Sequence, residues 1–391
     1  MNILLFDGPE RDQLLPFTFI RPVAQLRIGI DRLQDKWEAF LGVKCGVYTQ
    51  DYLQSKFPLA INKENLFVNP AYIPTTALAE KVKRLNLNDA LVVNGNIVAC
   101  LTESPQPPVE NSLLNCIEVD FPLIHLKTAT DLFLNNAEVL TLDFHRLTKG
   151  RKSAPISSSN QLIAPENIFL EEGAKVECAI LNASEGPIYI GKNAEVMEGS
   201  MLRGSIALCA HAVVKMGAKI YGGTALGPYV KAGGELNNVL ILGYSNKGHD
   251  GFLGNAVVGE WCNIGAASDA SNLKNNYGKL RVWNYQTENF AKTDLQFCGL
   301  LMGDFSRCSI HSTFNTATVV GICANIFGTG FPRTFLPSFS YGGAQGLKTY
   351  AFDKAIESNI AMMERRGAEL TQIDRDVLQH IFSLTAKWRK D

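Results

Sequence analysis

The 391-residue chain predicts an α/β, Rossmann-like domain, then a left-handed parallel β-helix of hexapeptide repeats, then a pair of C-terminal helices. A few features carry that expectation. Short apolar runs alternate with helix-patterned stretches up to about Phe144, apolar residues then recur at a spacing of six, and after Gly346 the apolar spacing turns to three and four.

In the first part NILLF (2–6), VKCGVYT (43–49), NLFVN (65–69) and ALVVNGNIVACL (90–101) read as strands. Between them VAQLRIGIDRLQDKWEAFL (23–41) and TTALAEKVKRLNL (75–87) carry helical periodicity, so a mostly parallel sheet is expected over 1–150. The polar, basic and Ser-rich LTKGRKSAPISSSNQ, 147–161, suits a connection, and 151–165 is expected as a linker.

The repeat follows over 166–345. Ile190, Val196, Leu202, Leu208, Val214, Ile220, Leu226 and Ala232 are spaced six apart without a miss. With about half of residues apolar, such a run has a chance of roughly one in 250. The rhythm resumes as Phe252, Val258, Ile264 and again as Met302, Cys308, Phe314, Val320, Ile326. A period of six fits neither helix nor simple alternation, but it fits a β-helix whose short strands each turn one aliphatic residue inward. Over 346–391, LKTYAFDKAIESNIAMMERR and LTQIDRDVLQHIFSLTAKW read as amphipathic helices that cap the β-helix or pack on a neighbouring subunit.

Composition narrows the function. Lys plus Arg is 37 against 38 for Asp plus Glu, which recommends neither a nucleic-acid partner nor an anionic membrane. The nine cysteines are odd in number and form no C-x-x-C pair, so reduced thiols are expected, not a disulfide frame or zinc site. MNILLFDGPERD has no basic leader and no run approaches eighteen apolar residues, so a cytoplasmic protein is expected.

His249 sits where the rhythm slips phase, between Leu240 and Phe252, on a coil expected to bulge. Glu235, Lys247, Asn263, Asn272 and Lys274 lie within twenty-five residues of it. That polar cluster fits a reactive site, and taken alone it fits better an asparagine ladder and solvated lysines on β-helix corners. A zinc site of the gamma-carbonic-anhydrase kind would need three histidines on one ion, and His211, His249 and His311 are unevenly placed for it.

GHDGFLGNAVVGEWCNIGA (248–266) and SNLKNNYGKLRV (271–282) resemble the acetyltransferase domain of the bifunctional N-acetylglucosamine-1-phosphate uridyltransferase/glucosamine-1-phosphate acetyltransferase family. The variant found in Bacteroidetes is similar over the whole chain, including FGTGFPRTFLPSFSYGG (327–343). The resemblance implies acetyl-CoA as co-substrate, an amino-sugar 1-phosphate as acceptor and a homotrimer. It implies His249 as general base with Glu235 orienting it, and Asn263, Asn272 and Phe252 as substrate-binding residues. It implies Lys215, Lys231 or Lys247 on the sugar phosphate, and Ala266, Lys274 and Arg333 on the acetyl donor. Two positions depart from the family pattern: Leu273 replaces a tyrosine and Asn237 a lysine.

LLPFTFIRPVAQL (14–26) resembles the opening of sugar nucleotidyltransferases, which implies nucleotide binding by Gly8, Arg11, Arg21 and Arg27. Here, too, the pattern is incomplete. Val23 stands at the family's lysine, and Asn96 in NGN at its metal-binding aspartate, so Mg²⁺ is expected only if this domain is active. The alternatives are a sugar-1-phosphate uridylyl- or thymidylyltransferase with the β-helix as an oligomeric or regulatory platform, and a non-catalytic scaffold.

Overall fold

The computed structural model describes residues 2–108 and 114–389. The chain divides into two compact units: residues up to Leu26 with Asp31–Thr128, and Arg27–Ile30 with the chain from Ala129 onward.

The first unit is a six-stranded sheet of β1 (Asn2–Phe6), β2 (Gly46–Tyr48), β3 (Asn65–Val68), β4 (Asp89–Val93), β5 (Asn96–Thr102) and β6 (Asn115–Glu118), in the order β2-β1-β3-β5-β4-β6. Helices α1 (Glu10–Gln13), α2 (Leu33–Leu41), α3 (Asp51–Gln54) and α4 (Thr76–Lys83) accompany it. The sheet is mostly parallel, as expected, and is made mixed by β5 alone, which runs antiparallel to both β3 and β4. The cause is local: Asn94 and Gly95, at φ 49° and 78°, form the two-residue turn that folds ALVVNGNIVACL into a hairpin. The helix expected over 23–41 shortens to α2 because Gly29 takes φ 66° and its N–H donates to Asn136 Oδ1 at 2.7 Å.

The second unit holds α5 (Asp131–Leu134) and α6 (Asn136–Thr148), so α6 belongs by its contacts with the solenoid. Its first residue, Asn136, donates to Gly223 O at 2.7 Å. Within the stretch expected as linker, Gln161–Ile163 already pairs with Ile180–Asn182.

The body of this unit is a parallel solenoid of the left-handed β-helix type, with about ten turns. Ile190, Leu208 and Leu226 are successive register partners, as are Val196, Val214 and Ala232, so a turn takes three hexapeptides. All six are buried, and each valine, leucine or isoleucine so placed contributes about 1.5–3 kcal/mol. The six-residue reading slips at Phe252. Leu253 is the inward residue there, paired with Leu236, while Phe252 pairs with Glu235 on the outer side. One outer corner carries His211, Tyr229, Tyr244 and Trp261, all at positive φ, stacked at 4.6, 5.2 and 4.5 Å.

Between Ala270 and Leu301 the chain leaves the coils to form an antiparallel hairpin, Arg281–Asn284 with Asn289–Lys292. Helices α7 (Phe352–Glu364) and α8 (Gln372–Leu384) follow the last coils, and Thr371 with Asp374 makes a capping box for α8. α7 lies along the solenoid's flank: Arg307 donates to Asn359 at 2.6 Å, and Arg366, just past its end, donates to Asn246 Oδ1 and Tyr229 O at 2.8 Å. Among the described residues no helix is long and apolar enough to cross a membrane.

Leu226 is fully buried between Leu208 and Ile241. Leu226→Ala is expected to cost the solenoid about 2–5 kcal/mol in denaturant unfolding. A loss below about 1 kcal/mol would mean that the column is not close-packed.

Candidate active site on the solenoid

The site grows from an irregular corner. Four residues, Lys215–Ala218, join Val214 to Lys219, and four, Gly265–Ser268, join Ile264 to Asp269. Only Gly233–Gly234 join Ala232 to Glu235, and this short corner packs against the next turn, Gly248–Gly251, which carries His249. Gly234 needs to be glycine. It takes φ 73°, and a side chain there would start 2.9 Å from His249 O. Gly248 does not: its backbone is ordinary and nothing lies within 4 Å of where a side chain would start. Open space therefore adjoins His249.

His249 is exposed, and among the described residues neither its ring nor the half-buried Glu235 makes a hydrogen bond or ion pair. Glu235 is the register partner of Phe252, three residues beyond His249.

Of the lysines expected on phosphate, Lys215 and Lys231 face outward, and Lys215 Cβ lies 3.2 Å from the place a Gly233 side chain would start. Lys231 pairs in register with Asn246, three residues before His249. Burial holds Lys231 below the ordinary lysine value, and the like charges of Arg366, Lys215 and Arg365 add to this. The end of α7 thus brings two arginines to the lysine pair. Lys247 departs from expectation. It is 1% exposed, and its ammonium donates to the carbonyls of Gly233, His249 and Asp250, which removes it from any phosphate.

The remaining positions separate. Asn263 is exposed and accepts from Asn246 at 3.5 Å. Asn272 donates to Asn255 Oδ1 at 2.8 Å, an asparagine ladder, and shares the space over Gly254 with the Phe252 ring. The Ala266 N–H donates to no described group, while its carbonyl accepts from His311 N at 2.8 Å. Lys274 Nζ is tied to Lys279 O at 3.0 Å. Arg333 lines a cavity of about 570 Å³ with Lys348, Trp388 and the stacked rings of Trp283 and Phe335, 3.9 Å apart.

In the first unit, the space at Gly8 is filled by the protein itself. A side chain there would start 2.4 Å from Glu10 Oε2 and 2.5 Å from Asn69 Nδ2. Glu10 in turn meets His125 Nε2 at 2.6 Å. Burial acts to raise the Glu10 carboxyl, but hydrogen bonds from His125 and Asn69 outweigh it and leave the group below the usual carboxylate range. Arg11 is buried on Asp12, Thr18 O and the Tyr52 hydroxyl, and Arg21 is buried with a bond to Phe17 O at 3.2 Å. Arg27 belongs to the second unit and bonds Ile30 O. Asn96 opens β5 beside the hairpin turn, exposed and bonded back to Val93 O at 3.4 Å.

Comparison with known proteins bears on the first unit and on the stretch through α6. Residues 3–152 match the family model described as sugar nucleotidyl transferase. That is well under half of the chain. Among solved structures, Arabidopsis UDP-N-acetylglucosamine acyltransferase is similar at 15% identity and a TM-score of 0.23, over 60% of this chain and 82% of that one. No curated protein matches.

Sequence reasoning missed Arg365 and Arg366, whose signal is an arginine pair between an amphipathic helix and Gly367. It also missed the short corner, visible as a four-residue step from Ala232 to Leu236. The Glu10–His125 pair has no local signal, since the topology alone joins those positions.

Asp7 gives a pH test of the first unit. Burial pushes its carboxyl up to about 6, against hydrogen bonds from Thr49 and Val23 and the charge of Arg11. A folded value above the unfolded 3.8 means that its contribution is complete below about pH 4 and is lost as pH rises through about 6. The loss is about 3 kcal/mol on an order-of-magnitude basis. Asp7→Asn is expected to flatten the stability profile of this unit between pH 4 and 7. Parallel profiles for variant and wild type would contradict the assignment.

Proposed function

We propose that the solenoid transfers an acetyl group from acetyl-CoA to the amine of an amino-sugar 1-phosphate, with glucosamine 1-phosphate the leading acceptor. The product would enter the biosynthesis of a UDP-N-acetylglucosamine-type nucleotide sugar. The observation that carries this reading is His249: an exposed, uncommitted imidazole on the turn above a two-residue corner, with lysines and arginines gathered beside it.

In this reading His249 accepts the proton released as the amine nitrogen bonds to the thioester carbon. The C–S bond then breaks and the proton passes to the departing thiolate. Lys215 and Lys231, with Arg365 and Arg366, hold the phosphate dianion. The uncommitted Ala266 N–H suits the developing oxyanion. Phe252 and Asn263 wall the sugar, and Glu235 polarises the site. The Arg333 cavity, with its rings and the Lys348 charge, suits the nucleotide end of the donor. Lys274 and Asn272, committed to Lys279 and Asn255, steady the walls. The protein is read as cytoplasmic and as a homotrimer in which a neighbouring solenoid shields the His249 turn from water.

The match of residues 3–152 favours a second reading, Mg²⁺-dependent uridylyl or thymidylyl transfer by the first unit, with the solenoid as platform. The carboxylate filling the space at Gly8 speaks against phosphate docking there.

A coupled assay with acetyl-CoA and glucosamine 1-phosphate, then pyrophosphate release from UTP or dTTP with Mg²⁺, separates the two readings. His249→Ala is expected to lower acetyl transfer by about 10²- to 10⁴-fold with the fold intact. Retention of more than a few per cent of the rate would remove His249 from the reaction.

A further inference from the structure

Lys247 stands where the solenoid places apolar side chains. Its register partner is Ala232, next in the column after Val214, and the pairing of Asn246 with Asn263 sets it beside Ile264. Room exists for a long chain there because two corner fillers are missing. Ala218, Ser268 and Ser312 each turn a small buried side chain into the corner, whereas the short corner has no counterpart and Gly251 has no side chain to offer. The methylenes of Lys247 occupy that interior, and the ammonium turns up towards the His249 turn.

Its acceptors are Gly233 O at 3.3 Å, His249 O at 2.5 Å and Asp250 O at 3.3 Å. Asp250 O also accepts from Ala267 N at 2.9 Å, and Gly251 O from Glu235 N at 3.1 Å. Among the described residues His249 O has no donor other than Lys247 Nζ. Burial holds Lys247 below the ordinary lysine value, with the charges of Asp269 and Asp250 opposing, and neither carboxylate closes an ion pair with it among the described residues. A buried ammonium without a counter-ion is a costly way to fill an apolar column.

We propose that Lys247 is a positioning residue: its buried ammonium clamps the Gly248–Gly251 turn from inside and fixes the presentation of His249, at the expense of solenoid stability. The catalytic part rests on the reading of His249 as the base.

Lys247→Met keeps the chain length, suits the column and removes the donor to His249 O. The solenoid's melting temperature is expected to stay level or rise. Hydrogen exchange of the Ala267 and Glu235 amides, which donate to the turn at Asp250 O and Gly251 O, is expected to speed up about tenfold or more, since a clamped turn becomes a local opening. kcat for acetyl transfer is expected to fall by about tenfold to a hundredfold, with KM for glucosamine 1-phosphate within about twofold, as loss of alignment predicts. Lys247→Gln, a shorter donor, should fall between variant and wild type. Unchanged exchange of the Ala267 and Glu235 amides in Lys247→Met overturns the clamp whatever the activity does. A KM rise with kcat retained overturns it in favour of a phosphate contact, and failure of both variants to fold overturns it in favour of a purely structural lysine. Exchange and melting need no substrate, so a wild type without acetyl transfer but with the expected exchange change would sink the catalytic reading alone.

Discussion

Every coil of the solenoid must hand its neighbour a strand in register, because each short strand draws its hydrogen bonds from the coils on either side. Leu208 must fall on Ile190 and Leu226 on Leu208, or the inward aliphatics turn outward. Length changes are therefore confined to corners. Among them, the chain drops two residues at Gly233–Gly234 and adds the excursion between Ala270 and Leu301. The first brackets His249 from below. The second builds the ring-lined cavity, since Trp283 comes from its hairpin.

The short corner acts on both sides of the wall. Outside, it brings the His249 turn down beside Lys215 and Lys231; inside, it leaves a gap that the chain of Lys247 fills. Charge is distributed accordingly. The outward lysines repel one another and the arginines after α7, a repulsion that the proposed phosphate would relieve. The inward lysine spends its charge on backbone carbonyls. Helix α7 matters through the same corner, because Arg366 ties it to Asn246 on the coil that bears His249.

The solenoid was legible in the sequence because its signal is purely periodic: the residues from Ile190 to Ala232 at a spacing of six are all buried where they stand. Legibility fails where a single-residue shift matters. Phe252 and Leu253 are both apolar, and only the pairing of Leu253 with Leu236 decides which points inward. The reversed strand of the first unit escapes the sequence for a related reason, since the Asn94-Gly95 turn lies inside an apolar run that reads as one long strand. In the site, the His249 turn stood out by its isolation, but the burial of Lys247 depends on a side chain absent from the neighbouring coil. The internal commitments of Arg11 and Arg21 are tertiary and leave no trace in the sequence.

The claim at the centre of this account is that the two-residue corner makes the site. Inserting two alanines between Gly233 and Gly234 gives a corner as long as Gly265–Ser268, displaces the His249 turn packed on it and competes with Lys247 for the interior. Calorimetric titration of that variant with glucosamine 1-phosphate, beside wild type, is the direct measurement. The account predicts a folded solenoid whose affinity is weakened by more than about tenfold, the scale of a lost charge-assisted contact. A folded variant that binds as wild type does would contradict it.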